Sequence, residues 1–458
     1  MWQWVSNLFG TAPPSPADAK SNTARAGATP ISRADDEPLL PPFLRREAIL
    51  NRKQQVVAYV FTVETPAAMQ MHHWQASTRK FFDNVLIDHF ASNKLTDLLN
   101  KRLAFLPLGP AGLANPKLIQ LPSQNLVIEF DPPSTADFDA EAVLAQLNTL
   151  QSSGFHVACG HLLEQRGLAE ALKFAHTICL GDVANMAPPD LLARCRELRI
   201  RYPESRLIAR NIDSTELYQV CQRLNVDLFQ GGFLTHRTTS ATNKVSPYRV
   251  FVVELLNAIR RQVDYGELAG IAWRDPVLAY RLLRFVNSAA FGLRTKIERL
   301  RHAMAYVGRD ELYRWLTLLL FSNNEPNHLD DALRENALVR ARLAENLAEG
   351  RMTPKECDEA FVVGILSLID ALLEIPMKDA LAQLSLPDAV AAALLHREGK
   401  YAPYLKLAIA CEESDQHTLK TLAAECGLEA STVNQRHIDA LVWTMNFNDT
   451  LNESMLVG

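Results

Sequence analysis

Residues 45–65 read RREAILNRKQQVVAYVFTVET, and the fold of the first half of the chain turns on this stretch. VVAYVFTV (56–63) is apolar and β-branched almost throughout, as in a strand buried on both faces and unlike an amphipathic helix. Runs of the same kind recur as RLAFLPL (102–108), NLVIEF (125–130), FHVACGH (155–161), HTICLGDV (176–183), SRLIARNI (205–212) and DLFQGGFL (227–234). Helical segments such as DAEAVLAQLNTLQSS (139–153) and STELYQVCQRLN (214–225) lie between them. Strand and helix alternating at this spacing predict parallel βαβ units, and seven strands predict a closed β/α barrel.

After TTSATNK (238–244) the strand signal ends, and residues 248–446 read as amphipathic helices. In the segment opening TPKEC, Thr353 stands as N-cap, Pro354 at the first helical position and Glu356 at the third. The expected organisation is a tail over 1–43, a barrel over 44–237, a linker over 238–247, an all-α domain over 248–446 and a C-terminal tail over 447–458. Residues 11–40, rich in Pro, Ala, Ser and Thr, read as a tether. In MWQWVSNLFG, Trp2, Val5, Leu8 and Phe9 share one face of a short helix, which leaves two readings: an unstructured tail, or a peptide that docks on a partner or a membrane surface. The polar linker is short enough to predict a fixed contact between the halves.

Composition narrows the function. The 458 residues are 48% hydrophobic and 22% charged, with a net charge of -5, so nothing global attracts nucleic acid or an anionic membrane. The seven cysteines form no CxxC pair, which predicts reduced buried thiols in a cytoplasmic protein. No apolar run approaches the roughly 20 residues of a membrane span.

On these residues the first half resembles the EAL domain, a barrel phosphodiesterase of cyclic di-GMP whose site uses acidic groups and an Asn to hold two divalent metals, with a Lys beside the attacking water. The resemblance places the family's name-giving glutamate at Val60 and its metal-binding Asn at Pro107. Glu129 is kept, while the acid three residues later becomes Pro132. Two adjacent aspartates fall on Gly160 and His161, a Lys and an Asp on Cys179 and Gly181, and a catalytic Glu on Arg210. Asp213, Gln230 and Gly231 remain. Val and Pro offer no side-chain oxygen, and a guanidinium repels a cation, so the expectation is a degenerate EAL-type barrel without catalysis. Glu129, His161, Arg210, Asp213 and Gln230 are the candidates for residual ligand binding; the alternative is that Arg210 pairs with Glu129 or Asp213 in a filled mouth.

The second half resembles the HDOD domain, a helical relative of HD-type phosphohydrolases, through LLRFVNSAAFG (282–292), IERLRHAMAYVG (297–308) and the helix that follows. Its signature positions are Asn287, Ser288, Gly292, Gly308 and Asp370. Asn287–Ser288 is expected to cap or bond a helix end, and Leu278, Leu282, Leu283 and Val286 to face the core. No His-Asp dyad stands where catalytic relatives keep it; Ser367 and Asp370 occupy that region, with Asp370 expected to be ion-paired or capping. The pairing of the two domains implies a bacterial regulatory protein that is not an enzyme, acts through a protein partner the sequence does not identify, and needs no cofactor or metal. The alternatives are a cyclic di-GMP receptor and, third, a residual phosphodiesterase.

Overall fold

The computed structural model describes residues 43–64, 76–92, 99, 102–132, 138–160, 168–234, 247–287, 296–321, 328–413 and 416–456. The opening stretch folds as two strands where the sequence reading counted one. β1 (Phe43–Asn51) and β2 (Val56–Glu64) form an antiparallel hairpin. Its turn is built by Asn51, whose Oδ1 accepts the amides of Lys53 at 2.9 Å and Gln55 at 3.0 Å, while Gln54 takes a left-handed φ of 66°. β1 hides in the sequence because its charges point both ways. Arg45 and Glu47 pair at 2.7 Å on one face, and Arg46 lies over the Tyr59 ring on the other.

β3 (Leu103–Leu108), β4 (Leu126–Phe130), β5 (His156–Gly160), β6 (Thr177–Asp182), β7 (Arg206–Arg210) and β8 (Leu228–Gln230) follow in parallel, and β8 pairs antiparallel with β1 to close an eight-stranded barrel. The outside is covered by helices that include α1 (Ala76–Ser92), α2 (Ala140–Ser152), α3 (Pro188–Arg201) and α4 (Thr215–Arg223). Asp139 and Ser214 start α2 and α4 by accepting an amide from the first turn. Every strand sends a residue to the barrel's inner cluster: Ile49, Ala58, Val60, Phe105, Val127, Ala158, Cys179, Ile208 and Leu228. The lumen is therefore a packed core, not a channel.

The second half is helical. Its longer elements are α5 (Pro247–Arg260), α6 (Tyr265–Ala272), α7 (Pro276–Val286), α8 (Leu300–Val307), α9 (Arg309–Leu320), α10 (His328–Ala348), α11 (Pro354–Leu366), α12 (Ala402–Glu413) and α13 (Ala430–Leu456). α13 runs through most of 447–458, which corrects the tail expected there. Leu278, Leu282 and Val286 are buried, while Leu283 is only half-buried against the same core. α11 opens with a capping box between Thr353 and Glu356. It also crosses α10 in backbone contact, since a Cβ on Gly364 would stand 2.4 Å from the Ala341 Cα.

The halves share their cores. Ala332, Ile438 and Met445 of the helical half join the cluster on the barrel's outer face, and Phe43 of β1 joins the helical cluster, stacked on His437 at 4.9 Å. The amide of Leu44 donates to Asn434 Oδ1 at 3.0 Å. At the centre of this seam the Tyr59 hydroxyl donates to the buried carboxylate of Glu335 in α10, and Arg102 pairs with the same carboxylate at 2.7 Å. No helix among the described residues is long and apolar enough to cross a membrane.

Candidate functional site

Side chains alternate along a strand, so residues two beyond the inner cluster form the next layer, at the barrel's mouth. This layer holds Pro107 after Phe105, Glu129 after Val127, Gly160 after Ala158, Arg210 after Ile208 and Gln230 after Leu228, while on β6 the register slips after Cys179 and sets Asp182 level with Arg210; Glu47 enters from the antiparallel β1, two before Ile49. Period two thus gathers residues scattered over the chain.

Glu129 is buried and forms an ion pair with Arg210 across the barrel, and its other oxygen accepts from the Cys179 thiol at 3.3 Å. Burial pushes the Glu129 carboxyl above its ordinary value; Arg210 opposes this without overcoming it, and Asp131 adds to the rise. Burial, and then Glu129, raise the Cys179 thiol well above its ordinary value, so it stays protonated and donates. Gln230 is buried and gives its amide to Glu47. Two buried polar atoms in the mouth lack a partner, Arg210 Nε and Gln230 Oε1. Outside the ring, Arg79 of α1 ties the ends of β3 and β4 together, bonding Asp131 at 2.8 Å, Asp83 at 2.9 Å and the Pro107 carbonyl at 3.2 Å.

The structure brings Glu129, Arg210 and Gln230 to one place. Asp213 is exposed in the turn before α4 and does not join them. His161 lies outside the described residues, as do Ser288, Gly292 and the N-terminal peptide with its Trp2 and Trp4. Among the described residues no cluster of His, Cys, Asp or Glu has the geometry of a metal site. The two carboxylates of the layer, Glu129 paired with Arg210 and Glu47 paired with Arg45 and bonded by Gln230, are a poor ligand set for the two hard cations that an EAL site implies.

In the helical half Asn287 closes α7. Its Nδ2 donates to the carbonyls of Leu283 and Ile297, each at 2.8 Å, and its Oδ1 accepts the Ile297 amide at 2.8 Å. Three bonds from one amide pin the chain on either side of 288–295. Gly308 separates α8 from α9 with φ of 84°, a backbone that strains any side chain. Asp370 sits in the first turn of a short helix, Ile369–Leu373; neither the ion pair nor the cap expected of it is present among the described residues.

Sequence reasoning missed Tyr59, Arg102 and Glu335. Burial pushes the Glu335 carboxyl up, but Arg102 and Arg46 outweigh it and hold the group below its ordinary value. Burial, then Glu335, raise the Tyr59 phenol. Only one signal for these residues was available, a tyrosine on the outward face of an apolar strand.

Residues 248–383 match the HDOD domain family. The chain is 23% identical to a protein of Vibrio cholerae named cyclic di-GMP phosphodiesterase CdgJ, over 90% of this chain and 94% of that one. It is 25% identical to YuxH of Bacillus subtilis, over 89% of this chain and 99% of that one. Among solved structures, the FimX EAL domain of Xanthomonas citri in complex with c-diGMP is 15% identical, covering 42% of this chain and 86% of its own, with a TM-score of 0.33. The protein is thus an eight-stranded barrel followed by a helical region that contains an HDOD domain. The expectation that the chain is not an enzyme is overturned by the Vibrio relative, which matches it almost end to end and is named for hydrolysis.

Proposed function

We propose that this chain, an EAL-like barrel fused to an HDOD domain, is a bacterial regulator in cyclic di-GMP signalling that acts through protein–protein contact, with its two halves working as one body. The observation that carries the reading is the seam. A buried Tyr59–Glu335–Arg102 contact between β2 and α10 is costly to open, so a change in either half reaches the other. The tie to cyclic di-GMP is supported by the name of the Vibrio relative. The test is affinity capture with the full chain and with Glu335→Gln in parallel. A protein held by the first and released by the second, with both forms folded by circular dichroism, is expected. Capture that does not distinguish them overturns the seam's part in recognition.

A second reading has its own observation. The partnerless Arg210 Nε and Gln230 Oε1 offer a donor and an acceptor at the mouth, and a guanidinium suits a phosphodiester. Cyclic di-GMP bound there would lose affinity in Arg210→Ala, read by titration calorimetry. Binding indifferent to Arg210 counts against this site. The same protein incubated with Mn²⁺ and the dinucleotide reports directly on turnover.

A further inference from the structure

Where α5, α9 and α11 converge, the helical half holds a cleft of about 70 Å³. A buried water needs roughly 10–15 Å³, so the cleft has room for several waters or for one oxyanion of phosphate size. Four cationic side chains line it: Arg260 at the end of α5, Arg309 and Arg314 on α9, and Lys355 in the first turn of α11. Three acids join them, Asp310, Asp358 and Glu359. Buried Ile259, Val362 and Val390 add an apolar wall, and charges beside such a wall are poorly screened. None of these residues belongs to the barrel mouth or to the seam. The cleft also lies at the start of α11, whereas Ser367 follows its end.

The charges are not equally engaged. Arg314 is committed, bonding the two oxygens of Glu345 at 2.9 and 3.0 Å and Asp358 at 3.0 Å. Glu359 accepts from the Tyr401 hydroxyl at 2.5 Å. Arg260, Arg309 and Lys355 have no ion pair among the described residues. Arg309 Nη2 donates to the Val263 carbonyl at 2.5 Å, and its guanidinium lies over the Tyr265 ring at 4.8 Å, which fixes its plane. Its Nη1 is buried and has no hydrogen-bond partner. Arg260 lies over the Tyr313 ring at 4.9 Å, and Tyr313 stands one turn after Arg309 on α9, which brings the two guanidiniums close together. A buried N–H of a charged group is costly to leave unmade, so this corner is built for an acceptor.

The donors select the ligand. A guanidinium presents parallel N–H groups that match a phosphate, and two guanidiniums with an ammonium suit a dianion better than a single carboxylate. We infer that the cleft binds the phosphate group of a small phosphorylated ligand, held by Arg309, Arg260 and Lys355. The phosphate supplies the bond that Arg309 Nη1 lacks and links α5, α9 and α11. The site needs neither the seam nor the mouth, so it stands apart from the protein-contact reading above.

Titration calorimetry of the full chain tests this with three probes: inorganic phosphate, guanosine monophosphate, and guanosine, which lacks the phosphate. Saturable binding of the first two and none of the third is expected. Tighter binding of the monophosphate marks a nucleotide as the source, and equal binding marks free phosphate. Arg309→Gln and Arg260→Gln should each weaken binding about tenfold, the loss of a hydrogen bond to a charged group. Lys355→Gln, at an exposed position, should weaken it about threefold. Arg210→Ala, at the barrel mouth, should leave it unchanged. Should Arg309→Gln fail to fold, by circular dichroism, Arg260→Gln and Lys355→Gln decide. No saturable heat up to about 10 mM of either phosphate, well above a millimolar dissociation constant, overturns the proposal. So does guanosine binding as well as its monophosphate, or binding that survives the cleft variants and is lost in Arg210→Ala.

Discussion

Two buried glutamates, one in each half, meet opposite fates. Glu129 at the barrel mouth faces one guanidinium, with Asp131 nearby, and its carboxyl is pushed above the ordinary value of 4.5. Glu335 at the seam is as deeply buried, yet Arg102, Arg46 and the Tyr59 hydroxyl hold it below the same value. Burial alone therefore does not decide the charge of a carboxyl; the number of donors and cations around it does. The seam is built around an anion. The mouth holds an acid biased towards its neutral form, in a ring with two unmatched polar atoms.

The difference should appear first in stability. Glu335→Ala leaves Arg102 and Tyr59 facing an empty site, and removing one partner of a buried pair costs about 3–5 kcal/mol. Urea unfolding of the full chain should show a loss in this range, and a loss under about 1 kcal/mol, the level of a solvent-exposed pair, would mean that the seam is wet. Arg210→Ala should cost less, about 1–3 kcal/mol, because Glu129 can take up a proton and remain buried as a neutral acid. If the two variants are equally unstable, the contrast between the sites fails.

The pH dependences should have opposite signs. Glu335 is depressed in the folded state, so its contribution is present above 4.5 and is lost as pH falls through the lower folded value. His437 acts in the same direction. Burial, then Arg46, bring it down from 6.5 to about 3, so the unfolded chain binds its proton first and stability falls as pH drops through that window. Glu129 is raised, so the folded state holds its proton longer and stability falls as pH rises from 4.5 towards the raised value. Melting temperatures across pH should lose part of their acid-side slope in Glu335→Gln and part of their slope above 4.5 in Glu129→Gln. The same slope change in both variants would refute the assignment.

The smallest effect is expected at an exposed pair. Glu356 is brought down to about 2, chiefly by its bond to Lys400 at 2.7 Å, but both groups are bathed in solvent. Lys400→Ala should leave the melting temperature unchanged within error, as solvent and salt screen such pairs. A clear loss would mean that surface pairs count here as buried ones do.

The sequence by itself determined a good deal. Seven of the eight strands, the succession of a barrel and a helical half and the capping box at Thr353 were all legible, because each rests on local periodicity or on a bond within a few residues. β1 escaped because its charges serve the mouth on one face and the seam on the other, which breaks the alternation that marks a strand. Tertiary structure chose Glu129 over Asp213, the two partners the sequence offered Arg210, and alone decided the bond from Gln230 to Glu47 and the meeting of Tyr59 and Arg102 with Glu335, some 276 residues from Tyr59 in sequence. Such partners are set by barrel closure and by the docking of α10 on β2. A composition or a hydrophobic period carries no information about which distant charge will arrive, and here the arriving charges decide in which direction each buried carboxyl is shifted.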